Sequence, residues 1–146
     1  MSRLQSRHLN PPAVLVVEDN PLIRFTTAEG LRECGWTVFE AETADEAIAI
    51  LQADSPVALV FSDIEMPGTM DGLGLAQWVR ANRPSIRVML TSGRIQPEGI
   101  DRSLCDEGPI PKPYLCHTIS DRIRHHLRLS GTLGPRFRGH DSSVAD

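Results

Sequence analysis

The sequence is poor in the residue types that mark several protein classes. Its three cysteines are an odd number without metal-binding or redox spacing, which indicates reduced, half-buried residues of a cytosolic protein. It has no G-x-G-x-x-G motif, the glycine pattern that is typical of dinucleotide-binding folds, so the sequence does not indicate such a fold. Apolar runs such as residues 13–17 are five residues long, far short of the roughly 20 that a membrane span needs. We therefore expect a cytoplasmic protein that does not enter a membrane.

The charge balance excludes a further class. The net charge of -4 over 146 residues argues against a protein held to nucleic acid mainly by its overall charge, because such a domain is expected to be basic. With 40% hydrophobic and 23% charged residues, the composition is that of an ordinary globular protein. Lysine is nearly missing, since of the 15 basic residues only Lys112 is a lysine.

Three regions follow one another along the chain. Residues 1–12 are polar and end in two prolines, which is typical of a flexible lead-in. Residues 13–130 combine short apolar runs with helical periodicity and are predicted to form one domain. Residues 131–146 are rich in Gly, Pro, Ser and Arg, which predicts a disordered tail. Too few residues follow position 129 for a DNA-binding domain, so we expect none.

The alternation of strand and helix patterns predicts an α/β domain. Strands are expected at residues 13–17, 37–41, 57–62, 86–90 and 109–111, and helices after Asn20, Thr43, Asp71 and near Pro113, with a short irregular helix near residues 98–105. The two most apolar strands, the first and third, should be central, and the second and fifth should be edges. This predicts a doubly wound, five-stranded parallel sheet of flavodoxin-like order 2-1-3-4-5.

Residues that could bind a ligand or take part in a reaction follow four of these strands. Glu18 and Asp19 follow the first strand, Asp63 the third, Thr91 the fourth and Lys112 the fifth. In such sheets, ligands bind outside the carboxyl ends of the strands, next to the switch point between the first and third strands. Each residue alone has an ordinary explanation as a cap or a solvated side chain. Their joint occurrence at one edge of the sheet favours a functional site.

Three carboxylates at one edge need a proton or a cation. Two carboxylates about 4 Å apart repel each other by roughly 4 kcal/mol at an effective dielectric constant of 20. Oxygen ligands with room for water favour magnesium, and a carboxylate beside that ion can attack phosphorus to form an aspartyl phosphate. Asp63 suits this nucleophilic role because it lies between Asp19 and Lys112. Thr91 is placed to donate its hydroxyl to the bound phosphoryl group.

Four motifs resemble those of the receiver domains of bacterial two-component response regulators. They are VLVVEDN (residues 14–20), LVFSDIEMPG with MDG (residues 59–72), VMLTSG (residues 88–93) and PKPY (residues 111–114). Together they are specific, and the resemblance covers about residues 13–129. It implies a stand-alone signalling protein that receives a phosphoryl group from a sensor histidine kinase or phosphotransfer protein. A downstream protein target is implied as well, and a homodimer stays open.

The resemblance also implies a role for each matching residue. Asp63 would be the phosphoacceptor, Thr91 the switch hydroxyl, and Lys112 the lysine that precedes a cis peptide bond to Pro113. The implied magnesium ligands are Asp19 directly, Glu18 through water, Asp63, and the backbone carbonyl of Glu65.

Three departures from the family pattern stand out. The loop MPGTMDG is one residue longer than the common spacing, and Ser92 stands where the family usually has Ala or Gly. Pro109 replaces the usual aromatic residue, so the ring movement that normally accompanies the switch is impossible. We therefore predict that phosphorylation changes the loops after Thr91 and Asp63 and residues 95–107, rather than the last helix. Tyr114 is expected to pack structurally.

Two rival functions stay open at this point. Because of Pro109, the chain could be a degenerate receiver that acts only as a protein-binding scaffold. It could also be a phosphohydrolase with an aspartyl nucleophile, although haloacid dehalogenases place their D-x-D motif after the first strand. Here Asp63-Ile64-Glu65 follows the third strand.

Overall fold

Strands and helices alternate through the computed structural model, which describes residues 12–93, 101–129 and 131–132. The strands are β1 (Ala13–Val17), β2 (Thr37–Ala41), β3 (Val57–Asp63), β4 (Arg87–Ser92) and β5 (Glu107–Pro111). The helices are α1 (Pro21–Glu33), α2 (Ala44–Gln52), α3 (Gly72–Asn82) and α4 (Cys116–Leu129), with a 3-10 turn at Arg102–Leu104. None of the helices described there has the length and apolar composition that crossing a bilayer requires.

The five strands form one parallel sheet in the order β2-β1-β3-β4-β5, which confirms the predicted topology. The interior strand β1 is buried along its whole length because both of its faces are covered. Val14 and Val16 face the side of α1 and α4, whereas Leu15 and Val17 face the side of α2 and α3. The edge strand β5 is only half-buried.

Side-chain caps start the first three helices, and the caps of α1 and α3 follow the loops that carry site residues. The Asn20 side chain accepts hydrogen bonds from the backbone of Leu22 and Ile23, both at 3.0 Å. The Asp71 side chain caps α3 through Gly74, and the Thr43 hydroxyl caps α2. The predicted helix starts are therefore correct for α1, α2 and α3.

Several predicted strand boundaries are wrong by a few residues, because strand pairing decides where the strands end. Strand β4 runs on to Ser92 and β5 begins at Glu107 instead of Pro109, since Met89 pairs with Glu107 and Ser92 with Pro111. Strand β3 includes Asp63, which pairs with Thr91. Helix α4 begins at Cys116, three residues after Pro113.

Some predictions fall outside the described residues. These are the lead-in up to residue 11, most of the tail, namely residues 133–146, and residues 98–100 of the segment predicted as a short irregular helix. In the described part of that segment, the chain forms the 3-10 turn. The predicted cis peptide bond between Lys112 and Pro113 is present, and a second one, which the sequence did not indicate, joins Gly108 to Pro109.

Candidate functional site

The carboxyl ends of β1, β3 and β5 bring four of the predicted residues together. Glu18, Asp19 and Asp63 each place a carboxylate oxygen within 4.8 Å of the others. The ammonium group of Lys112 lies 2.9 Å from Oε1 of Glu18 and 3.2 Å from Oδ2 of Asp63. The sheet topology thus assembles residues that are far apart in sequence into one charged cluster.

Glu18 is anchored through both its backbone and its side chain. Its backbone N–H donates to Ala41 on β2 at 3.0 Å, and its carbonyl accepts from the guanidinium of Arg24 at 2.9 Å. Its Oε2 accepts from the backbone N–H of Asn20 at 3.1 Å, while Oε1 faces Lys112. Both oxygens of this buried carboxylate therefore already have partners.

The position of Asp63 depends on its neighbours in β4 and α3. The backbone N–H of Ile64 donates to the Thr91 carbonyl, and the N–H of Gly72 donates to the Ile64 carbonyl, both at 2.9 Å. A Cβ on Gly72 would collide with the carbonyl oxygen of Asp63, so only glycine allows α3 to begin this close to the site. This contact gives a physical reason for the glycine of the MDG motif.

The electrostatics of the cluster disfavour the charged form of Asp63 and favour the charged form of Lys112. Burial, and next the charge of Glu18, raise the pKa of Asp63 to about 6, although Lys112 acts in the opposite direction. Burial alone would lower the pKa of Lys112, but its hydrogen bond to Glu18 and the charge of Asp63 outweigh burial and raise this pKa. The ionised carboxylate of Asp63 is therefore electrostatically destabilised, and a further positive charge would stabilise it.

The donor set fits a hard divalent cation. Three carboxylates converge, and Oδ1 of Asp63 is buried without a hydrogen-bond partner among the described residues. An unpartnered buried carboxylate oxygen is costly, and a magnesium ion with oxygen ligands would satisfy it.

Thr91 lies beside Asp63 in the parallel ladder, but its hydroxyl is bonded elsewhere. Its Oγ1 donates to the backbone carbonyl of Ile110 at 2.6 Å. In this state the hydroxyl therefore connects β4 to β5 instead of facing the carboxylates. Its predicted role toward a phosphoryl group stays a prediction, and that role requires this hydrogen bond to open.

A hydrogen bond near the site was missed by the sequence reasoning. The hydroxyl of buried Ser92 donates to the carboxylate of Glu65, with distances of 2.8 and 3.1 Å to its two oxygens. The departure at Ser92 was visible in the sequence, but its partner was not. Tyr114 packs as expected: its hydroxyl shares a 2.9 Å hydrogen bond with Thr27, and its ring packs edge-on against Phe61.

The strand order and the position of the cluster define a flavodoxin-like, doubly wound α/β protein with an acidic site at its switch point. The family described as the response regulator receiver domain matches residues 14–113. The chain belongs to this receiver domain family, as the four motifs indicated.

Known relatives include a sensor protein and a probable transcriptional regulatory protein. The sensor protein TorS of Escherichia coli is 29% identical over 127 residues, which cover 86% of this chain and 14% of TorS. The probable transcriptional regulatory protein TcrX of Mycobacterium tuberculosis is 29% identical over 123 residues, 83% of this chain and 52% of TcrX. The chain thus spans about half or less of these relatives.

A solved structure resembles the whole domain. The response regulator protein TrrA of Thermotoga maritima, crystallised in complex with Mg(2+)-BeF, superposes with a TM-score of 0.70 at 27% identity. The match covers 78% of this chain and 97% of that one.

Proposed function

We propose that this receiver domain accepts a phosphoryl group on Asp63 and, in the phosphorylated state, binds a downstream protein differently. The observation that carries the proposal is the state of Asp63. It is buried at the switch point, its Oδ2 lies 3.2 Å from Lys112, and its Oδ1 has no partner among the described residues. A carboxylate with one anchored and one free oxygen is oriented for nucleophilic attack.

The donor would be a phosphohistidine of a sensor histidine kinase or a phosphotransfer protein. A bond forms between an oxygen of Asp63 and phosphorus while the bond from phosphorus to the histidine nitrogen breaks. The electron pair of that bond stays on the nitrogen, which takes up a proton. The ammonium of Lys112 faces Asp63 and would offset the negative charge that the phosphoryl oxygens bring.

The site would hold one magnesium ion. Asp19 and Asp63 would bind the ion directly, together with the backbone carbonyl of Glu65. Glu18 would act through water, which is supported by the partners that both of its carboxylate oxygens already have. When bound, the ion would supply positive charge to the phosphoryl oxygens.

The route from Asp63 to the partner surface would pass through Thr91 and β5. The Thr91 hydroxyl would leave the carbonyl of Ile110 and donate to the phosphoryl group, which frees an acceptor on the edge strand. Because Pro109 has no aromatic ring, this carbonyl is the direct link between the hydroxyl and β5. The predictions that the domain acts as a stand-alone module in the cytoplasm and can pair with a second copy stay predictions.

Small phosphodonors test this proposal against its rivals. The protein is incubated with magnesium and either acetyl phosphate or phosphoramidate, whose P–N bond imitates phosphohistidine. A stable, stoichiometric phosphoryl adduct that hydroxylamine removes, as expected for an acyl phosphate, supports the receiver. Continuous release of phosphate from excess donor would instead indicate a phosphohydrolase, and lack of reaction with both donors would indicate a scaffold.

A further inference from the structure

Two of the three cysteines, far apart in sequence, lie at the ends of two helices that pack against each other. Cys34 is the C-cap that directly follows α1, and Cys116 is the first residue of α4. Both thiols are free and half-buried, so a small reagent can reach them. Neither belongs to the acidic site or to any motif of the family.

A glycine lets the first turn of α4 approach the backbone of α1 closely. A Cβ on Gly30 would lie 2.5 Å from Sγ and 2.7 Å from Cβ of Cys116, closer than real Cβ atoms approach. The Sγ of Cys116 also lies 3.8 Å from the carbonyl oxygen of Thr26 and 3.9 Å from that of Thr27. This thiol therefore lies directly on the turn of α1 around Gly30.

The thiol of Cys34 belongs to the same side of α1. Cys34 follows Gly30 by one helical turn, and its backbone N–H donates to the Gly30 carbonyl at 3.2 Å. Residues four apart share a helix face, and helical side chains lean toward the amino terminus, so Cys34 covers the turn before its own Cα. That turn is the one on which Cys116 lies. In agreement with this, burial is the main cause of the raised pKa of Cys116, and the nearby Cys34 is the next cause.

We propose that Cys34 and Cys116 form an oxidative modification site that closes to a disulfide between α1 and α4. The oxidant is hydrogen peroxide or a similar two-electron oxidant. One thiolate attacks a peroxide oxygen, which gives a sulfenic acid and releases hydroxide. The second thiolate then attacks the sulfenic sulfur, the S–S bond forms, and hydroxide leaves again. With the two thiol protons, both hydroxides become water.

Cys105 serves as an internal control. It packs against the apolar cluster on the α2 and α3 side of the sheet, whereas Cys34 packs against the cluster on the other side. Cys105 is half-buried like the other two cysteines. If solvent exposure alone governed the reaction, all three thiols would be oxidised alike. If proximity in the fold governs it, only Cys34 and Cys116 form a disulfide.

The test is peptide mapping of the intact protein after treatment with hydrogen peroxide at about pH 8.5, where more thiolate is present than at neutral pH. We expect monomers that lose two hydrogen masses and yield a peptide linked through Cys34 and Cys116, while Cys105 stays an unoxidised thiol. Cys34→Ser and Cys116→Ser should abolish the link, and Cys105→Ser should retain it. In urea the preference for this pair should disappear.

Two outcomes would overturn the proposal. The first is oxygen addition to individual cysteines, or covalent dimers, without the intramolecular link. The second is a mixture of all three cysteine pairs in the folded protein, as in urea. If the link forms, the oxidised protein should melt at a higher temperature than the reduced one, and a thiol reductant should reverse this shift.

Discussion

The centre of the sheet and its β5 edge hold buried or half-buried carboxylates in opposite ways. At the centre, burial and the charge of Glu18 raise the pKa of Asp63 to about 6. At the edge, burial would raise the pKa of Glu107, but His126 and Arg122 on α4 outweigh it and lower this pKa. His126 Nε2 lies 2.7 Å and Arg122 Nε 3.0 Å from the Glu107 carboxylate.

This difference separates the carboxylate proposed to accept a phosphoryl group from one that joins two elements. Glu107 has all the partners it needs, and it fastens the half-buried edge strand to α4. Asp63 has one oxygen without a partner in the described chain, although unsatisfied buried groups are rare in proteins. Such an exception at the switch point is what a functional site requires.

The largest difference is expected between Lys112→Met and Arg122→Met. Removal of Lys112 leaves the buried carboxylates of Glu18 and Asp63 without their cation, so unfolding free energy at neutral pH should fall by about 3 kcal/mol. The rate of labelling by acetyl phosphate should fall by about 100-fold. Arg122 is half exposed, and its loss should cost less than about 1 kcal/mol. Urea denaturation and labelling kinetics measure both effects, and equal losses in the two variants would contradict the contrast.

The stability of Asp63→Asn relative to the original protein should depend on pH. Because the folded pKa of Asp63 is raised above its usual 3.8, the folded state binds this proton more tightly, and the carboxyl destabilises the fold as pH rises from about 4 through about 6. Asparagine removes this effect, so the variant should gain on the order of 2 kcal/mol over the original protein across that range. A difference that is constant with pH in metal-free buffer would show that Asp63 does not titrate there.

Magnesium should stabilise the protein by binding to the carboxylates at the centre of the sheet. Millimolar magnesium should raise the melting temperature by an amount equivalent to about 1–2 kcal/mol, by mass action on the folded state. Asp19→Ala should abolish this response, whereas the exposed Asp54→Ala serves as the matched control and should retain it. Melting curves with and without magnesium decide the matter, and an unchanged curve for the original protein would argue against a metal site.

The smallest effect is expected at Glu107, with the opposite sign. Its folded pKa is lowered below the usual 4.5, so the stabilisation is present above that value and disappears as pH falls through the folded pKa. Glu107→Gln should therefore lose about 0.5–1 kcal/mol at neutral pH and little in strong acid. The difference in denaturation midpoint between variant and original protein should therefore change with pH in opposite directions for Glu107→Gln and Asp63→Asn.

The sequence predicted the β2 and β1 side of the sheet better than its β5 edge. Strands β1 and β2 have the predicted bounds, because their apolar pattern and the following caps are local signals. The positions directly after the predicted strands indicated that Glu18, Asp19, Asp63 and Lys112 lie close together, because parallel strands bring their carboxyl ends to one edge of the sheet.

The edge could not be predicted because its contacts join distant parts of the chain. Glu107 reads as a loop residue until it is paired with Met89 and bonded to α4. Likewise, the hydrogen bond of Ser92 to Glu65 and that of Thr91 to the Ile110 carbonyl depend on side-chain directions that no local pattern specifies.

Site mapping of the phosphoryl group tests the central claim most directly. The original protein, Asp63→Asn and the matched exposed variant Asp54→Asn are treated with acetyl phosphate and magnesium, and their intact masses and peptides are compared. The account predicts one phosphoryl group on Asp63 in the original protein and in Asp54→Asn, and none in Asp63→Asn, because an amide cannot serve as the nucleophile. A phosphoryl group of equal yield in Asp63→Asn would contradict the assignment.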